Sequence, residues 1–173
     1  MQQQNIKHRR GFSLIEVVVY ISLFSVISVL TMNALFSTMK AFTDLRISRD
    51  INDSSVKIME RMTRDIKSAT SVDLVNSTFN ANPGRLTLST VNASGTPMTV
   101  EYYISGNALH VKEDGVDKGS LLSSQTSISG VLFNYINTGR SIAIKVGLYV
   151  TASRAGVNDT DYFYDTIIMR GTY

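Results

Sequence analysis

The chain has 173 residues, 43% hydrophobic and 18% charged, which excludes a disordered or collagen-like polypeptide and suits one globular domain with a core. It contains no cysteine, so disulfide frameworks, thiol catalysis and cysteine-ligated zinc are excluded. The net charge of +3 invites a nucleic-acid reading, but Lys7, Arg9 and Arg10 account for the whole excess of basic residues; the remainder is balanced and gives no sign of a DNA-binding surface.

Residues 1–10 are polar and basic, without hydrophobic periodicity, and their cations favour a cytoplasmic N-terminus. From Val17 through Met39 there is no Asp, Glu, Lys or Arg. A hydrocarbon core about 30 Å thick needs roughly 20 apolar helical residues, so this run is long enough to span it. An ordinary secretory leader is a poor alternative, because an h-region is only about 7–15 residues long and no A-x-A-like site follows the run. An uncleaved signal anchor is a second alternative, and the run alone leaves it open.

Apart from Gly11, every glycine and both prolines fall at or after Pro83. That shift predicts one long helix from Phe12 to about Lys67, followed by a turn-rich β region. After Phe42 the charges return, interleaved with Ile51, Ser55, Ile58 or Met59, Met62, Ile66 and Ala69. Steps of three and four put these on one face, directed at a core.

Beyond residue 70 the period becomes two. Leu86 and Leu88 alternate with polar residues, as do Met98, Val100, Tyr102 and Ile104. Gly106-Asn107 then predicts a hairpin to Leu109 and Val111, and Asp114-Gly115 a further turn. The clearest strand carries Ile142, Ile144, Val146, Leu148 and Val150, and two more are expected at 129–136 and 162–170. The fold class is therefore α+β: a long N-terminal helix, membrane half plus amphipathic half, packed on an antiparallel sheet with one apolar face.

Few residues suggest chemistry. Glu16 is the exception, since an unpaired charge at the centre of a spanning helix costs on the order of 2.5–3.5 kcal/mol by insertion scales. Either it reaches the headgroups, or it pairs with a cation from another molecule. A cut between Gly11 and Phe12 would create such a cation, an α-amino group four residues before Glu16, and a buried pair between neighbouring helices would fix their register. Ser22, Ser25 and Ser28 recur at intervals that permit close helix approach. His8 and His110 make no metal or base set, and Asn158-Asp159-Thr160-Asp161 reads as a polar loop rather than a calcium site. The tyrosines Tyr102, Tyr103, Tyr149, Tyr162 and Tyr164 read as half-buried packing. With no catalytic set, cofactor motif or metal cluster, an enzyme is not expected.

The run Lys7-x-Arg9-Arg10-Gly11-Phe12-Ser13-Leu14-Ile15-Glu16-Val17 with its apolar helix resembles the N-terminus of type IV prepilins and pseudopilins. The resemblance implies a leader of residues 1–11, a transmembrane and assembly segment at 12–42, and a pilin-like head at 43–173. It implies cleavage between Gly11 and Phe12 by a prepilin peptidase, N-methylation of Phe12 and subunit docking through Glu16. The proline that kinks many major pilins near position 33 is absent, since Asn33 stands there. Residues 58–69 and the segment Ile168-Met169-Arg170-Gly171 resemble minor pilins of the PilW and GspJ kind, whose heads sit at or near a filament tip. The partners so implied are other pilin subunits, an inner-membrane assembly platform and, before assembly, membrane lipid. The residues lend no support to DNA or secreted cargo as ligands. The competing expectation is a membrane-anchored binding domain that never polymerises.

Overall fold

The computed structural model describes residues 11–92 and 94–170; the basic leader 1–10 and Gly171 lie outside the described residues. Helix α1 covers Leu14–Ser68, as expected from a stretch free of helix breakers. Ser13 caps it, its side-chain oxygen accepting from the Glu16 N–H at 3.3 Å, the S-x-x-E spacing of a capping box. At the other end Lys67 sits in the last turn, and Ala69 donates to Ile66 at 3.3 Å as the coil tightens. The chain divides between Phe42 and Thr43 into two compact units.

In the second unit, the stretch of α1 after Phe42 buries Ile47, Ile51, Ser54, Ser55, Ile58, Met62 and Ile66. The expected stripe is present and extends one turn earlier, to Ile47. Met59 is only partly buried, so Ile58 is the core residue of that pair. The two serines let the helix approach its cover closely without leaving a bare hydroxyl. Ser55 donates to the Ile51 carbonyl at 2.7 Å, and Ser54 meets the Thr126 hydroxyl at 3.1 Å.

Eight strands follow: β1 Ser71–Val72, β2 Leu86–Val91, β3 Pro97–Ser105, β4 Ala108–Glu113, β5 Val116–Ser120, β6 Thr126–Asn137, β7 Ile142–Arg154 and β8 Val157–Ile168. They form two antiparallel sheets, β1-β2-β3-β4-β5 and β6-β7-β8, where a single sheet was expected. One core cluster joins them. It contains Ile51, Ile58 and Met62 from the helix, Leu86, Tyr102 and Val111 from the larger sheet, and Phe133, Val146 and Leu148 from the smaller.

Three hairpins turn through two residues with positive φ: Gly106-Asn107, Asp114-Gly115 and Ala155-Gly156. That backbone matches strand twist and explains Gly, Asn and Asp at the first two. The third corrects two expectations. Because the chain reverses at Ala155-Gly156, β8 begins at Val157, so Asn158–Asp161 lies within a strand and not in a loop. The strand also stops at Ile168, although Met169 still donates to Ile142 at 3.0 Å. Between Leu86 and Leu88, Thr87 is buried at 7% as well, and its hydroxyl donates to the Asn76 carbonyl at 3.2 Å.

Candidate functional site

Among its described residues the first unit has no buried core. Every large apolar side chain from Leu14 to Phe42 is at least 44% exposed, and this part of α1 is long and apolar enough to cross a membrane. Four of its hydroxyls are satisfied by the helix itself. Ser22 donates to the Val19 carbonyl, Ser25 to Ile21, Ser28 to Phe24 and Thr31 to Ile27, each at 2.8 Å. In hydrocarbon an unbonded hydroxyl is costly, so these back-bonds leave a surface of methyl groups and aromatic rings.

Gly11 and Phe12 precede the helix, and Glu16 lies in its first turn. The carboxylate belongs there electrostatically, because the exposed N–H groups of a helix start carry about half a positive charge. Tyr20, one turn on, donates its hydroxyl to the Glu16 Oε1 at 3.3 Å, and the Phe12 ring meets the Tyr20 ring edge-on with centroids 6.3 Å apart. The structure thus brings Phe12, Glu16 and Tyr20 together on one side of the helix start. Among the described residues no cation pairs with Glu16. Tyr20 was not singled out from the sequence, although its i+4 spacing from Glu16 was there to be read.

The polar residues of the second unit hold the head together. Tyr102, expected to be half-buried, is fully buried, and its hydroxyl donates to Asp65 at 2.5 Å. Arg61 lies 3.6 Å from Asp65 and donates to Glu113 at 2.8 Å, so the helix is tied to both β3 and β4. Burial, then the negative charge of Asp65, pushes the Tyr102 hydroxyl well above the ordinary tyrosine range. On the opposite face of the larger sheet, Asp117 accepts from the Gly119 N–H, the Tyr103 hydroxyl and the His110 Nδ1 at 2.8, 2.9 and 3.0 Å. The Gly119 bond, followed by that of Tyr103, holds Asp117 below the usual carboxylate range. Tyr149, Tyr162 and Tyr164 form an outward-facing row with successive ring centroids 4.5 and 5.8 Å apart, and Tyr164 is 68% exposed. Among the described residues no group of three or more His, Asp or Glu side chains is placed to hold a metal.

The family model of the prokaryotic N-terminal methylation motif matches residues 6–32, which contain Gly11, Phe12, Glu16 and Tyr20. No curated protein and no solved structure matches the chain. The match covers the segment before the head and says nothing about the head's own contacts.

Proposed function

We propose that this chain, which its N-terminal methylation motif marks as type IV prepilin-like, works as a minor pilin or pseudopilin of a type IV pilus, a competence pilus or a type II secretion machine. Such a motif implies processing by prepilin peptidase and assembly with other pilins. In this reading residues 1–11 are the leader, 12–42 the transmembrane and assembly segment, and 43–173 the head. Cleavage falls between Gly11 and Phe12, the new amine on Phe12 is methylated, and Glu16 docks the subunit. The leader stays cytoplasmic, while the head lies outside and is carried by an inner-membrane platform into the filament, at or near its tip. The work is mechanical and associative, without catalysis or cofactor.

One observation carries the reading: Glu16 sits among exposed apolar side chains with a neutral tyrosine as its hydrogen-bond partner. In an apolar surrounding a carboxylate needs a cation, and removal of one member of a buried pair typically costs about 3–5 kcal/mol. A free amine at Phe12 of a neighbouring subunit supplies that cation once the leader is gone. The test is Glu16→Ala in the native host. Membrane insertion should be unchanged, while the amount recovered with filament or secretion-complex subunits should fall below detection. Normal recovery would remove the docking role and favour the non-polymerising anchored domain.

A further inference from the structure

The sheet edges of the head are finished differently. β1 has 2 residues, and β5 has 5 and a register shift between His110 and Lys112. The outer edge of β6 is covered, since Asn80 and Gly84 donate to its Phe133 and Val131 carbonyls at 2.9 and 2.8 Å. β8 has 12 residues, ends its sheet, and has no strand on its far side among the described residues. A long bare edge is a template for another chain unless something blunts it.

The register identifies which groups are open. The Ala155-Gly156 turn joins Arg154 to Val157, and a two-residue loop closes on a hydrogen-bonded pair. Counting in twos, the odd-numbered residues of β8 bond β7, and Met169 continues the series by donating to Ile142. The even-numbered residues therefore turn their N–H and C=O groups outward. Two of those N–H groups are occupied, Thr160 by the Asp159 carboxylate at 2.9 Å and Thr166 by Asp165 at 2.7 Å. Between them, Tyr162 and Tyr164 present N–H groups that no described residue takes up.

Beside this window is a groove of about 490 Å³, lined by Val56, Met59, Glu60, Arg64, Lys67 and Asp165 among others. Val56 is 52% exposed. Phe163 and Ile167 point toward the core, so Asp161 and Asp165, at alternate positions, share that face. A strand laid on β8 would send every second side chain to the groove.

Charge selects the occupant. β8 carries Asp159, Asp161 and Asp165 and no lysine or arginine, so a second copy paired there would set carboxylate against carboxylate. Arg64 and Lys67 share the groove with Asp165, whereas Asp161 has no ion pair among the described residues. A lysine or arginine on an added strand answers that unpaired carboxylate, because a cation opposite an anion across a strand pair is favourable. We propose that the β8 edge, centred on Tyr162 and Tyr164, receives an extended segment of a different protein with lysine or arginine at alternate positions, by strand addition. This site is independent of the filament reading, and failure of the Glu16→Ala test would leave it standing.

The test uses the full chain in detergent and a short peptide alternating lysine and valine, with amide exchange of Tyr162 and Tyr164 read by NMR. The peptide should slow both amides by about tenfold or more. The same peptide N-methylated on every backbone nitrogen, which blocks both of its edges, should have no effect, and a glutamate–valine peptide none. Asp161→Asn should weaken the lysine peptide. Tyr164→Pro, at an edge position that tolerates proline, should abolish its effect on Tyr162. Unchanged exchange with the lysine peptide, equal slowing by the glutamate or N-methylated peptide, or slowing that rises with protein concentration alone would each overturn the proposal.

Discussion

Before Phe42, every large apolar side chain of α1 is at least 44% exposed, whereas after it Ile47, Ile51, Ile58, Met62 and Ile66 are exposed by 1% or less. Both stretches are α-helix, so the difference lies in the pattern of side chains. The later stretch gathers most of its apolar residues into one buried stripe, with Leu45 and Val56 left exposed among charged and polar residues, and that stripe is committed to the two sheets. The earlier stretch is apolar on all sides and finds no cover within the described residues. Burying one such side chain is worth about 1.5–3 kcal/mol, so the earlier stretch favours apolar surroundings over water.

A matched pair of truncations is the strongest way to break this comparison. Ile58→Ala should cost the head about 2–5 kcal/mol, read by thermal unfolding in detergent, while Ile27→Ala should stay within about 0.5 kcal/mol. Equal losses would mean that the two stretches do not differ as described.

Tyr102→Phe sharpens the account of how the second stretch is held. It leaves Asp65 without its buried donor and should cost about 1–3 kcal/mol. The same hydroxyl gives a pH signature. Its folded pKa is raised above the unfolded value of 10.0, so the folded head keeps a proton that the unfolded chain releases. Its contribution is full below about pH 10 and is lost as pH rises through the folded value. The stability gap between the native chain and Tyr102→Phe should therefore narrow above pH 10, measured as paired melting curves; a constant gap would contradict the assignment.

A smaller effect is expected on the outward face of β7. A Cβ at Gly147 would lie 2.5 Å from the Tyr162 hydroxyl, so Gly147→Ala should swing that ring off Tyr149. The cost should be about 1 kcal/mol, and the near-ultraviolet circular dichroism of the tyrosine row should change. An unaltered aromatic spectrum would show that the ring does not rest on Gly147.

Much of the helix was legible because its signals are local: the absence of glycine and proline between Phe12 and Asn82, and steps of three and four through Ile51, Ile58, Met62 and Ile66. The hairpins at Gly106-Asn107 and Asp114-Gly115 were legible for the same reason. The Ala155-Gly156 turn was hidden because Ala155 adopts a positive φ of 51° without the Asn or Asp that normally advertises it. The start of β8 was hidden because an edge strand has solvent along one side, and Asp159 and Asp161 mask its alternation. The division into two sheets, and the Asp65–Tyr102 bond that spans 37 positions, depend on which strand meets which, and strand patterns do not carry that. At the N-terminus, Gly11, Phe12 and Glu16 were singled out through the resemblance that they carry, whereas the Ser13 cap and Tyr20 could have been read from their spacing to Glu16.

The most direct measurement is the mass of the chain isolated from its native membrane or filament fraction, with fragmentation of its first residues. The account predicts a chain that begins at Phe12 with a methylated amine. A chain that still carries residues 1–11, or one that begins elsewhere, would contradict it.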